Sequence, residues 1–181
     1  MQLLPIVLWF VLFTLTATAQ DQFITRNGYI SFFSHTPVED IEAVNNQVLS
    51  IVDIKTGEVA VSLLMKSFQF EKALMQEHFN ENYIESDKYP KATFQGKIMN
   101  LEEVLSGDNG VATVNGELSI HGRTNPITME GKIDISERAL RFEGSFMVTV
   151  ADYDIKIPSI VARNIAREVK VTCILDHQPY P

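Results

Sequence analysis

Apolar and polar residues alternate along most of this chain, the period of strands with one face buried. The cleanest run is Ile127 to Ile135, where Ile127, Met129, Gly131, Ile133 and Ile135 interleave with Thr128, Glu130, Lys132 and Asp134. Val111 to His121 sets Ala112, Val114, Leu118 and Ile120 on one face, and Leu140 to Val150 does the same with Leu140, Phe142, Gly144, Phe146 and Val148. Further strands are expected at Gly28–Thr36, Gln47–Ile54, Glu58–Lys66, Ala92–Ile98 and Arg167–Asp176. Asp21–Asn27 reads as a polar lead-in. Glu39–Asn46 is mixed and ends in a turn signal, Asn45-Asn46. Gly57, Gly107-Asp108-Asn109-Gly110, Gly122 to Pro126, and Ser136-Glu137-Arg138 mark the other turns, and Glu102–Gly110 reads as a polar loop. Pro158 argues against a central strand within Asp152–Asn164.

One stretch changes period. Leu74, Met75, His78 and Phe79 fall at helical spacing, whereas Ala92, Phe94, Gly96 and Ile98 alternate. Pro90 separates the two and pushes Tyr89 out of the helical region. A helix among strands must pack on a sheet face or plug the end of a barrel. The expected fold is therefore all-β with one or two short helices. About eight antiparallel strands in one twisted sheet tend to curl and close, which removes exposed edges. A β-sandwich fits the same period, and periodicity does not choose between them.

Composition narrows the partners. The chain has 181 residues, enough for one domain, and a net charge of −8. An acidic domain is a poor partner for nucleic acid, and no polybasic run points to an anionic membrane. Residues 1–19 are almost wholly apolar and end Ala17-Thr18-Ala19, the pattern of a secretory signal peptide cleaved near Ala19-Gln20. The expected mature domain is 20–181, periplasmic or secreted, with no integral membrane span. The single cysteine, Cys173, shares its alternating set with Val169, Val171 and Leu175 and is expected to be a buried small hydrophobe.

Catalytic signals are sparse. The four histidines, His35, His78, His121 and His177, form no recognised metal spacing, and no serine sits in a nucleophile elbow. His35, His78 and His121 each fall at the end of an element, so a metal or acid–base enzyme at the barrel end is one alternative reading. No catalytic residue, metal ligand or cofactor is assigned. A barrel interior offers either a packed core or room for one small ligand. Phe32, Phe94, Met129, Phe142 and Phe146 suit an apolar lumen, and the helical face with Phe79 suits a lid over it.

Three stretches carry a family resemblance. His78-Phe79 with Tyr83, Ser86-Asp87-Lys88-Tyr89-Pro90 and Ala92-Thr93-Phe94 resembles the helix, turn and strand signature of the YceI-like, polyisoprenoid-binding family. Val114 to Ile127 is similar to that family's hairpin, through Gly116, Leu118, Ile120, His121-Gly122, Thr124 and Pro126-Ile127. Ile30 to His35 resembles its first strand. The resemblance implies an antiparallel eight-stranded lipocalin-like barrel with a long apolar cavity. It implies an exported protein, not an enzyme, that sequesters or carries an isoprenoid-type lipid lined by Phe32, Phe79, Phe94, Leu118, Met129, Phe142 and Phe146. A ligand-free stress-response or structural module is the remaining alternative. Ala151-Asp152-Tyr153-Asp154-Ile155 only approximates the family's usual run after Val150, and Ile157-Pro158-Ser159-Ile160-Val161 replaces its continuation; that segment is expected to line the cavity mouth, which leaves the identity of the lipid open.

Overall fold

The structure, a computed structural model, describes residues 21–107 and 110–180. The expected signal peptide and the Asp108-Asn109 tip of one turn lie outside the described residues. The long strands are β1 (Gln22–His35), β2 (Asp40–Asp53), β7 (Arg123–Ser136), β8 (Ala139–Thr149) and β9 (Glu168–Pro179). The shorter ones are β3 (Glu58–Leu64), β4 (Gln69–Phe70), β5 (Lys91–Ile98) and β6 (Val111–Ile120). Two short α-helices, α1 (Ala73–His78) and α2 (Leu101–Leu105), and single turns of 3₁₀ and π helix complete the set among the described residues. The expected polar loop after β5 thus begins with a helical turn.

Pairing runs β1-β9-β8-β7-β6-β5-β3-β2, and β2 pairs back with β1. That last pairing closes an eight-stranded antiparallel barrel and excludes the sandwich. β4 stands outside the ring's order, against the first half of β2, at Ala43 and Val44. β3 covers only the second half of β2, Leu49 to Val52. The barrel wall is therefore short where β3 and β5 stand, and the segment from Met65 to Tyr89 fills the gap. This asymmetry makes one end of the interior different from the other.

Two turn signals read from sequence belong to strands. Asn45-Asn46 lies within the continuous β2, where the register against β1 shifts around Gly28. Asn45 is fully buried. Its Nδ2 donates to the Leu64 carbonyl at 3.0 Å, and its Oδ1 accepts from Gln47 N–H at 2.8 Å. The side chain supplies the partners that an irregular ladder lacks, so the turn residue becomes a bulge residue. Likewise the turn placed over Gly122–Pro126 shrinks to His121-Gly122, with φ of 51° and 71°. Two left-handed residues in a two-residue loop match the twist of paired strands. Thr124, Asn125 and Pro126 consequently pair with Ser119, Leu118 and Glu117. The polar lead-in is also strand, since Phe23 and Thr25 face inward between Arg26 and other exposed positions.

The far end of the barrel is solidly packed. Phe23, Val52, Phe94, Ile133, Leu140, Phe142 and Leu175 are all buried there. His177 is buried among them. Its Nδ1–H donates to the Leu140 carbonyl at 3.1 Å, and its Nε2 accepts from the Ser50 hydroxyl at 2.9 Å. Burial lowers its pKa, so the imidazole stays neutral in the folded protein. An unfolded histidine titrates near about 6.5, so its share of stability is complete above that pH and is lost as pH falls below it. Unfolding free energy is expected to drop between about pH 7 and 5, by at most about 1.4 kcal/mol per pH unit for this one proton. Urea unfolding of His177→Gln should give a flatter profile in that window; an equally steep one would assign the loss elsewhere.

Candidate functional site

At the other end lies an apolar cavity of about 320 Å³. Its walls come from β1, β2, β3, β5, β6, β8 and β9, and its cover from the segment between β3 and β5 and from residues 155–165. The cover's chemistry follows from its backbone. Helix α1 is six residues long and continues as one π turn, Phe79–Tyr83. So short a helix has little stability of its own and is held by what it packs on. Met75, His78, Phe79, Tyr83 and Ile84 all face the cavity.

Four phenylalanines meet here. Phe32 stacks on Phe79 with ring centroids 5.5 Å apart, and Phe70 lies 5.0 Å from Phe79. Phe68 meets both Phe32 and Phe79 edge to face, at 5.4 and 5.8 Å. Such arrangements contribute about 0.5–1.5 kcal/mol per pair beyond area burial, and they fix the cover onto β1. Polar groups are few. Glu39, Ser34, Asn164, His78 and Tyr83 reach the lining, and among the described residues it contains no Lys or Arg. Hydrogen bonds from Asn164 and Lys72 hold the Glu39 carboxyl below the usual carboxylate range. Burial pushes the Tyr83 phenol up, which leaves it a neutral hydroxyl.

The residues read from sequence as lining divide between the two ends. Phe32, Phe79, Leu118 and Phe146 line the large cavity. Phe94, Met129 and Phe142 instead border a small void of about 40 Å³ at the packed end, together with Ser50 and His177. Ile157 and Val161, in the run expected at the cavity mouth, do line the cavity, whereas sequence reasoning passed over Phe68, Phe70 and Ile165. Their signal was present. Phe68 and Phe70 share one face at period 2, and the irregular run after Asp152 is rich in isoleucine and valine.

The histidines have separate partners. The exposed His35 has its Nδ1 2.6 Å from Asp40 Oδ1 in the β1–β2 connection. His78 lines the cavity from α1. His121 is buried: its Nδ1–H donates to the Tyr153 carbonyl at 3.0 Å, its Nε2 lies 3.1 Å from Glu85 Oε2, and Tyr89 packs on its ring. It thereby ties the turn after the helix to the β6–β7 turn and to Tyr153. Among the described residues no three His, Cys, Asp or Glu side chains gather to hold a metal ion. Cys173 is buried beside Met129, and burial raises its thiol pKa to about 11, far from a nucleophile's setting.

Residues 22–176 match the model of the YceI-like domain. Among curated proteins, a UPF0312 protein of Vibrio parahaemolyticus is 30% identical over 116 residues, which cover 60% of this chain and 57% of that protein. A UPF0312 protein of Vibrio cholerae is 26% identical over 112 residues, covering 58% and 57%. The matches thus span little more than half the length of these relatives. Among solved structures, a polyisoprenoid-binding domain from Saccharophagus degradans superposes with a TM-score of 0.72 at 13% identity, covering 89% of this chain and 99% of that one. BcnA of Burkholderia cenocepacia gives 0.70 at 16% identity, covering 82% and 95%. At such identities the likeness establishes the closed barrel.

Proposed function

We propose, from the premise that this chain belongs to the YceI-like family, that it sequesters or carries one isoprenoid-type lipid in the apolar cavity. The observation that carries this reading is the cavity itself. Its size falls within the range of about 300–1,000 Å³ usual for small-molecule sites, and it is walled almost wholly by aromatic and aliphatic side chains. At about 0.8 kcal/mol per buried CH₂, a dozen enclosed carbons contribute on the order of 10 kcal/mol before ordering costs. No catalytic constellation is needed for that affinity. The description of the Saccharophagus degradans domain as polyisoprenoid-binding supports the same ligand class.

Phe32, Phe79, Leu118 and Phe146 are the lining residues assigned to the lipid; Phe94, Met129 and Phe142 are assigned to the closed end. A lining without Lys or Arg favours a lipid with a neutral polar end, because a phosphate buried there would lack a cation. Tyr83, Asn164 and His78 are the groups available to hydrogen-bond such an end. The reading places the protein in the periplasm or outside the cell, after loss of residues 1–19. Native mass spectrometry of protein purified from its own host is expected to show one adduct, released on denaturation and extracted as a prenyl lipid. Protein that is empty and also ignores added prenyl quinone would overturn the reading and favour the module without ligand.

A further inference from the structure

The cavity has a floor, made by side chains that stand over glycines. Ile30, Leu118 and Phe146 line the cavity. Two positions further along their strands, toward the packed end, come Gly28, Gly116 and Gly144. At that level β1, β6 and β8 supply no side chain, and large side chains from the packed end take the space. A Cβ built on Gly28 would stand 2.6 Å from Leu175 Cδ2, one on Gly116 2.5 Å from Phe94 Cζ, and one on Gly144 3.0 Å from Phe142 Cε1. Cys173 pairs with Gly144 across β8 and β9, and its Sγ lies 3.7 Å from Met129 Sδ. These groups cross the barrel. Among the described residues, none that lines the cavity also borders the void of about 40 Å³ beneath it.

The floor is one side chain thick at β3 and β5. The cross-strand partners Leu63 and Ala92 line the cavity, and the next inward pair, Val61 and Phe94, borders the void. The space above the floor is limited. An apolar cavity of about 150 Å³ encloses one benzene, so on that scale the 320 Å³ here encloses about 13 carbons. We propose that this floor restricts the ligand to a short isoprenoid-type chain, about two to three five-carbon units, with Phe94 setting the limit. The proposal rests on the lipid-carrying reading and adds the length of the lipid. It makes the site shorter than the long cavity that the family resemblance implies. The physical reason is simple. An enclosed unit leaves water, whereas a unit beyond the cavity's capacity stays in it, so added length stops contributing to affinity once the cavity is full. Alternation along single strands did not announce the floor, because its glycines and the side chains over them come from different strands.

The test offers lipid-stripped protein an equimolar mixture of prenyl alcohols in detergent micelles: geraniol, farnesol, geranylgeraniol and solanesol, in order of length. Loaded protein is separated from micelles by gel filtration, and its lipid is extracted and quantified by mass spectrometry. From a micelle, an enclosed unit passes between two apolar settings, whereas a unit left outside passes into water. The wild type is expected to hold geraniol and farnesol, with geranylgeraniol and solanesol depleted at least about tenfold relative to the mixture. Phe94→Ala is expected to join the void to the cavity and raise the share of geranylgeraniol at least about tenfold. Ala92→Phe keeps the test independent of that variant's loss of stability, since it fills space instead of opening a hole. It is expected to shift the ratio of geraniol to farnesol upward at least about tenfold. Solanesol held as well as farnesol overturns the limit. So does an unchanged geranylgeraniol share in folded Phe94→Ala, or an unchanged ratio in Ala92→Phe. Uptake of none of the four alcohols would instead strike the lipid-carrying reading, and the length limit with it.

Discussion

Phe79→Asp is expected to empty the cavity while leaving the barrel closed. The Phe79 ring is the hub of the aromatic cluster, within 5.0–5.8 Å of Phe70, Phe32 and Phe68. It sits on the π turn and faces the cavity, outside the ring of paired strands. An ionised carboxylate there has no cation in the lining to meet it. Transferring such a group from water to an apolar setting costs several kcal/mol, and each 1.4 kcal/mol is a tenfold change in affinity. Lipid retention should therefore fall at least about 100-fold. The matched control is Lys132→Glu, an exposed position on the outer face of β7. Extraction and mass spectrometry of lipid per protein, with a urea midpoint for each variant, separate the two effects. Equal retention in Phe79→Asp and the control would reduce the helical segment to scaffold.

The strand wall was legible because its chemistry is local. Inward residues of β6, β7 and β8 fall where alternation put them, from Ala112 and Val114 to Phe142 and Val148. What the period could not supply was closure, which depends on β1 and β2 meeting across the ends of the sheet. The misplaced turns share one cause. Asn45-Asn46 and Thr124-Asn125-Pro126 are turn-forming residues, but tertiary partners decide whether such residues turn the chain or bend a strand. Asn45 has Leu64 and Gln47 to bond, and Asn125 donates from its side chain to the Asp152 carbonyl at 2.9 Å.

The site was half legible. Alternation marks which residues point inward but not how far along the barrel each one sits. Phe94 and Leu118 are cross-strand partners with inward side chains, yet one borders the packed end and the other the cavity. That depth is set by where β3 and β5 stop and where the 65–89 segment folds over, which no single strand encodes. In the cover formed by residues 155–165, the run Ile157–Val161 was expected at the cavity mouth from its departure from the family, not from any pattern of its own. The cover's apolar residues follow no period, because they line the cavity from turns of 3₁₀ helix and irregular chain.

Phe142→Ala is expected to give the opposite outcome to Phe79→Asp, a large loss of stability with the cavity end unaltered. The Phe142 ring lies over two glycines that face each other across β7 and β8, Gly131 and Gly144. A Cβ built on Gly144 would stand 3.0 Å from Phe142 Cε1, and one on Gly131 would stand 2.7 Å from the Glu143 carbonyl oxygen. Phe94 covers the facing pair Gly96 and Gly116 in the same way, with its Cζ 2.5 Å from where a Gly96 Cβ would be. These strand glycines thus make room for rings in addition to bending the wall, and each ring shields backbone that has no side chain of its own. Removing a buried phenylalanine costs about 3–5 kcal/mol, and here the hole would open against bare backbone. Urea unfolding should be run on protein stripped of lipid, since a ligand bound only by the folded state adds its own stability. The midpoint is expected to fall sharply at an unchanged slope, while lipid taken up by the folded fraction stays near that of the wild type. Lost uptake at an unchanged midpoint would return Phe142 to the lipid's lining and overturn the division of the interior into a packed end and a binding end.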